Sequence, residues 1–394
     1  SAPRLSPQEL TEQLTRLGLQ VQPHGQRRLR LARKSTRRFF MLLRSSLLPS
    51  HGREPGVPWL RDNSRMLEEQ LRRLQGELRS LPPLPALRGG GRRISALTDT
   101  LCLSLGGEVD PGALPELLAC WQRSAGMTEQ ELQALPAALR RTLLLLLTDA
   151  AADLRTARLE RDRGQRLARA LRHNALSDHL LATLSPEALD GLTQALEAKG
   201  AGEALHTLDL LLTQAGQDTA ALARQARERE MARGHWVAAL CASLRALDRV
   251  SWPEFLEDLS LLHHCFLQDP AQVYSRMDFD SRRMYVLRTA RLARLMSMTE
   301  ERVALGALHL AQEAAEDGAA DHIGTYLLTD EGLQALYASL RLRRSLRFPL
   351  ALFFRRHGRG LYLTLLWLGV AAGLAAGAAL SLPALLIPAW LLVF

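Results

Sequence analysis

PWLRDNSRMLEEQLRRLQGEL, residues Pro58 to Leu78, spaces Leu60, Leu67, Leu71, Leu74 and Leu78 at steps of seven, four, three and four. That spacing brings all five leucines onto one face of an α-helix. Glu68, Glu69, Arg72 and Arg73 fall on the other sides, so the segment reads as an amphipathic packing helix. The rest of the chain repeats this character. Ala and Leu are abundant, β-branched residues are scarce and aromatics make up 5% of the 394 residues, so local propensity favours helix nearly everywhere. The fold class implied is all-α, an irregular multi-helix bundle or solenoid, with no fixed repeat period of the helical-repeat kind.

Working outward, residues 1–57 form a basic N-terminal segment and 58–90 the amphipathic helix with a linker rich in Pro and Gly. Pro82, Pro83, Pro85 and Gly89 to Gly91 mark a loop and a subdomain boundary. Residues 91–340 read as a domain of successive short helices. Their breaks fall at Gly106–Pro111, Gly126–Thr128, Leu184–Pro186, Lys199–Gly202, Gly216–Thr219 and Gln268–Pro270. Thr128 followed by Glu131 is a capping box and predicts a helix start; Ser185 and Thr299 lack the acidic partner three residues on. The stretch from Phe39 to Leu48 imitates a signal sequence, but Arg44 interrupts it, and a partly buried or interfacial helix is expected there.

The C-terminal part has another character. Leu361 to Leu382 (LYLTLLWLGVAAGLAAGAALSL) carries no charge and has the length of about 20 apolar residues that a bilayer core demands. Before it, residues 341–360 form a basic juxtamembrane segment with Arg341, Arg343, Arg344, Arg347, Arg355, Arg356 and Arg359, which favours a cytoplasmic location for the N-terminal part. After a break at Ser381–Pro383 a second apolar segment runs to Phe394 at about half the length of a crossing. The expectation for 361–394 is a transmembrane helical hairpin with its second helix truncated. Ser1 is not Met and the chain stops inside an apolar run, so a piece of a longer polypeptide is expected.

The net charge of +9 resides almost wholly in arginine, Lys34 and Lys199 being the only lysines. Much of the excess lies in Arg27 to Arg38 and Arg341 to Arg359, for which anionic lipid headgroups are a sufficient partner; nucleic acid is not expected. Cys102, Cys120, Cys241 and Cys265 are dispersed and read as reduced, mostly buried thiols. No phosphate loop, nucleophile elbow or HExxH zinc motif occurs. His263, His264 and Cys265 are consecutive, so they point to different sides of a helix and do not make a metal site; His309 and His322 are no better placed. Asp278 and Asp280 spell DxD, an arrangement that holds a divalent cation in nucleotide-sugar transferases. Here it precedes a helical segment, and Asp280 or Ser281 as a helix N-cap is the simpler account.

The run from Asp269 to Phe279 (DPAQVYSRMDF), with Ser281-Arg282, Tyr285, Thr299-Glu300 and His322 to Leu328 (HIGTYLL), resembles the N-terminal region of cyclic β-1,2-glucan synthases. Further matches are Trp59-Leu60, Asp62-Asn63, Glu68-Glu69-Gln70, Glu131-Leu132, Ala134-Leu135-Pro136 and Ser243-Leu244-Arg245 ahead of Trp252 and Phe255. The chain departs from the family at Ala238 to Cys241, where a polar Asn-Ser element is usual. The resemblance implies a bacterial inner-membrane enzyme that polymerises glucose from UDP-glucose with a divalent cation. Its transferase domain comes after the first membrane helices, and no QxxRW motif of that domain occurs here. This portion is then expected to be noncatalytic and free of cofactors, partnered by the bilayer, the transferase domain of the same polypeptide and, as a further candidate, the glucan chain. Tyr274, Arg276, Asp278, Arg282, Tyr285, His322 and Tyr326 are the candidate residues. Their aromatic faces and planar donors suit sugar hydroxyls, and they suit equally a buried polar junction between helices. A stand-alone membrane-anchored helical interaction protein is the alternative.

Overall fold

A computed structural model describes residues 5–20, 25–47, 56–89, 91–170, 184–214, 218–316, 322–340, 360, 362–373 and 375. The described residues are helical nearly throughout, and the chain divides into two compact units, residues 1–259 and 260–394. The division falls inside the expected 91–340 domain, rather than at 57/58 or 90/91.

The first unit begins with α1 (Pro7–Gln20), α2 (Arg33–Leu47), α3 (Gly56–Asp62) and α4 (Ser64–Ser80). Leu60, Leu67, Leu71, Leu74 and Leu78 are all buried, as their spacing predicts, yet the segment is two helices and not one. Asn63 interrupts it: the side chain is buried, its Nδ2 donates to the Trp59 carbonyl at 2.7 Å, and its Oδ1 accepts from Arg245. An amide side chain that bonds the preceding turn competes with continuation of the helix. α2 is a core helix, with Phe39, Leu42 and Leu43 buried beside Leu10 and Leu14 of α1. The described residues of 1–57 therefore share one core with α3 to α7. The Pro/Gly loop is tied in too: Leu84–Pro85 (β2) pairs antiparallel with Gln26–Arg27 (β1).

α5 (Arg93–Ser104) and α6 (Leu114–Ala125) lead into α7 (Glu129–Ala170). α7 starts at the capping box. Thr128 N and Oγ1 donate to Glu131 Oε2 at 3.1 and 3.2 Å, and Glu131 N donates back to Thr128 Oγ1 at 3.3 Å. The expectation of short helices fails here, because α7 runs 42 residues and contains only Pro136 and Gly164 as helix breakers. Pro136 lacks the N–H that the carbonyl four residues back would accept from. Beyond α7 come α8 (Pro186–Ala198), α9 (Gly202–Gln214), the 29-residue α10 (Thr219–Leu247) and α11 (Trp252–Leu259). Ser185 caps α8 by accepting from Ala188 N at 3.2 Å even without an acidic partner.

Two glycines set the crossing of α7 and α8. A Cβ on Gly164 would strike the Ala188 carbonyl oxygen, and one on Gly191 the Arg161 carbonyl oxygen. The helices meet backbone to backbone, and only glycine permits that approach.

Buried polar contacts in this unit join helices that are distant in sequence. Arg93, buried on α5, meets Glu131 through Nε at 2.9 Å and donates to the Ala125 and Gly126 carbonyls at 3.1 and 2.8 Å. Arg140, 1% exposed, donates from Nε to Gln70 at 2.7 Å and from Nη1 to Glu77 at 2.6 Å, with Asp248 at 3.6 Å from Nη2. Cys102, Cys120 and Cys241 are buried free thiols, and burial pushes Cys241 up to about 11.

The second unit comprises α12 (Leu261–Phe266), a 3₁₀ turn at Tyr274–Arg276, α13 (Phe279–Met296), α14 (Glu300–Glu316), α15 (Ile323–Leu328) and α16 (Asp330–Ser339). Phe266, Val286, Leu292, Met296, Val303, Leu308, Ile323, Leu327, Leu333 and Leu336 form its core. Residues 362–373 are helical with Leu363, Leu365, Trp367 and Leu368 exposed. Among the described residues no helix is long and apolar enough to cross a membrane. The basic segment 341–359 and most of the expected hairpin lie outside the described residues.

The Arg93–Glu131 pair gives a test. Arg93→Met strands a buried carboxylate and is expected to lower stability by about 3 kcal/mol. Adding Glu131→Gln removes that charge, keeps the capping geometry, and should recover part of the loss in urea midpoints. A double variant no more stable than Arg93→Met would contradict this.

Candidate functional site

The loop between α12 and α13 is organised by a residue outside the seven candidates. Asp269, 3% exposed, precedes Pro270 and turns the chain by accepting from Val273 N at 3.1 Å and Tyr274 N at 3.3 Å through Oδ2. The same oxygen accepts from His322 Nδ1 at 2.8 Å, and Oδ1 accepts from Ile323 N at 3.0 Å. Asp269 therefore caps the start of α15 from 54 residues away, while His322 occupies the N-cap position without using its own side chain as a cap.

This fixes the histidine. With Nδ1–H given to the carboxylate, Nε2 is left as the acceptor for the Tyr285 hydroxyl at 3.0 Å. Tyr285 is buried, and desolvation, aided by the charge of Asp269, holds its phenol above the ordinary tyrosine value. Its ring stands edge-on to Tyr274, 6.0 Å between centroids, and Tyr274 stands in turn against Phe266 at 5.3 Å. The Tyr274 hydroxyl reaches His263 Nδ1 at 3.1 Å. A continuous line of side chains thus runs from Asp269 through His322, Tyr285 and Tyr274 to His263. Gly324 leaves room for it, since a Cβ there would meet the Tyr285 hydroxyl and the His322 ring.

The structure brings Tyr274, Tyr285 and His322 together, with Tyr326 packed against the same core. Tyr274 is fully buried, so it presents no face to a sugar. Arg276 and Asp278 are exposed, and Arg282 and Tyr326 are half-buried. Asp278 is the N-cap of α13: its Oδ1 accepts from Ser281 N at 3.0 Å. The cap is therefore two residues earlier than Asp280 and three earlier than Ser281, because the helix takes in Phe279 and Asp280 as its first turn. The Ser281 hydroxyl and amide hold the Asp278 carboxyl below the usual aspartate range.

Chemically, both ring nitrogens of His322 are engaged within the protein, so the arrangement fastens a loop to a helix and leaves no free base. His264 bonds the Ser260 carbonyl at 2.8 Å through Nδ1, and burial lifts Cys265 to about 11. Among the described residues no group of three His, Cys, Asp or Glu could hold a metal ion. No family model matches this chain, and no curated protein matches it.

Asp269 and His263 are the residues the candidate set lacked. Asp before Pro was the available signal for the first; nothing near His263 in sequence announces Tyr274 as its partner.

Tyr285→Phe should destabilise the second unit by about 1 kcal/mol, and Gly324→Ala by more, since its Cβ displaces both partners; thermal melting of each variant checks the order. The cap at Asp278 has a sign of its own. A carboxyl held below its ordinary value, about 3.9, stabilises above that pH and loses the effect as pH falls through the lowered value. Ser281 amide protection should therefore fade in acid in the wild type and show no such dependence in Asp278→Asn.

Proposed function

We propose that this chain is the N-terminal helical portion and first membrane segment of a bacterial cyclic β-1,2-glucan synthase, and that it positions the enzyme without performing the chemistry. The observation that carries the reading is the use made of the residues on which the resemblance rests. Tyr274 and Tyr285, both buried, and half-buried His322 form one line in the second unit. In the first unit Asn63 takes the Arg245 guanidinium, Gln70 links Arg140 to Asp248, and Glu131 takes Arg93. Ser243 Oγ donates to the Gly107 carbonyl at 2.6 Å and accepts from Val109 N at 2.8 Å. Each holds the fold; none presents a reacting group. Such residues suit a rigid scaffold that packs against a transferase domain.

In this reading residues 361–394 supply the first membrane hairpin, the helical units lie on the cytoplasmic face, and UDP-glucose and its divalent cation bind further along the polypeptide. The exposed Arg276 and Asp278 are the groups that would meet the transferase domain or a glucan.

Reading the gene beyond the codon for Phe394 and expressing the whole frame in a glucan-free bacterium tests the proposal. Membranes given UDP-glucose should make β-1,2-glucan, and Arg276→Ala/Asp278→Ala should change product length or yield without abolishing glucose transfer. A frame that ends within one hairpin, or membranes that make no glucan, would refute it.

A further inference from the structure

The sequence places Arg27, Arg28 and Arg30 in one block and Arg92 and Arg141 far away. The fold brings them together. β1 pairs with β2, and Ala86 then bridges to Arg92. Arg92 Nη2 donates to the Arg28 carbonyl, and Arg141 Nε on α7 donates to the Arg30 carbonyl at 3.1 Å. Those bonds to backbone position the guanidiniums without neutralising them. Arg92 feels the charges of Arg141, Arg27 and Arg30, and among the described residues none of these arginines has an ion pair with a carboxylate. Arg92 Nε is out of contact with water and has no acceptor. Two acidic groups border the cluster. Asp99 of α5 stands near Arg141 and is occupied by the Thr142 hydroxyl at 2.7 Å, and Asp149 of α7 meets Arg38 at 3.1 Å. Arg141 and Asp149 lie eight residues apart, about 12 Å along α7, and Arg33, Lys34 and Arg37 on the exposed side of α2 add further positive charge.

We propose that Arg27, Arg28, Arg30, Arg92 and Arg141 form a surface that binds the phosphate groups of an anionic lipid bilayer. Five like charges crowded beside the single carboxylate of Asp99, with no ion pair of their own, leave an unmet demand for anions, and guanidinium forks match phosphate oxygens in pairs. The apolar stretch Leu361–Leu382 of the same chain argues for a bilayer as the source. Single-stranded nucleic acid would want exposed rings to stack on, whereas Phe39 is buried and Phe40 half-buried. α2 does not insert, because its apolar face is spent on the core; the attraction is electrostatic and salt-sensitive. The proposal rests on the proposed membrane placement of the chain and is independent of any transferase.

The full chain, with Cys265→Ala and a fluorophore on Ala32→Cys, is reconstituted into nanodiscs of phosphatidylcholine, or of phosphatidylcholine with a third replaced by phosphatidylglycerol. Both carry a nitroxide-labelled lipid as quencher. Quenching should be several-fold greater with phosphatidylglycerol, vanish in molar salt, and vanish in Arg27→Glu/Arg30→Glu. Should that variant unfold by circular dichroism, Arg33→Glu/Arg37→Glu, on the exposed side of α2, is expected to halve the effect or more. Equal quenching in the two bilayers overturns the proposal. So does a cluster that binds pyrophosphate or a short RNA more tightly than the anionic bilayer, which would assign it to a free phosphate or to nucleic acid. Loss of glucan synthesis alone would leave the quenching result untouched.

Discussion

Arg140 lies in the interior of α7 with almost no access to solvent, and a guanidinium there must find its acceptors in the protein. It finds them on α4, through Gln70 and Glu77, and beside Asp248 just after α10. Arg73 adds its own bonds to Glu77 and Asp248 at 3.1 Å. Three helices distant in sequence are thereby committed to one meeting point. Hydrophobic burial makes these helices associate, but many sliding registers would bury the same leucines. A charge that is satisfied in only one of them selects among the registers.

The helical character and the faces of the helices were legible, because both depend on local spacing. The five leucines from Leu60 to Leu78 were placed on the buried side correctly, and the Thr128 cap began α7 as its pattern required. What stayed hidden was tertiary. Nothing near Asn63 in sequence announces that the Arg245 side chain, 182 positions on, holds it inside where the helix divides. No break was expected between Thr128 and Leu184, yet the expectation of short helices took no account of one running 42 residues through Pro136 and Gly164. Gly164 is in fact there for the backbone of α8, a requirement that resides in another helix.

The candidate site divides along the same line. Aromatic and charged residues gathered in a short stretch suited a surface for sugar and a buried polar junction alike, and the exposure that distinguishes the two depends on what packs over them. Tyr274 and Tyr285 are covered by their own unit, while Arg276 and Asp278 remain outside. The apolar Ala238 to Cys241, where the resemblance would place polar residues, lies against the core, with Ala239, Leu240 and Cys241 buried. There the packing has no place for an unpaired polar side chain.

Asp269 serves two amides of its own loop and the Ile323 amide at the head of α15 at once. Neither the loop nor the short helix has enough contact surface to be stable alone, and each gains its fastening only when the other is in place. Closing that link means joining points 54 positions apart, which α13 and α14 must first bring near by forming and pairing. The second unit should consequently acquire its loop and α15 together, as one late cooperative event, after α13 and α14 have packed on each other.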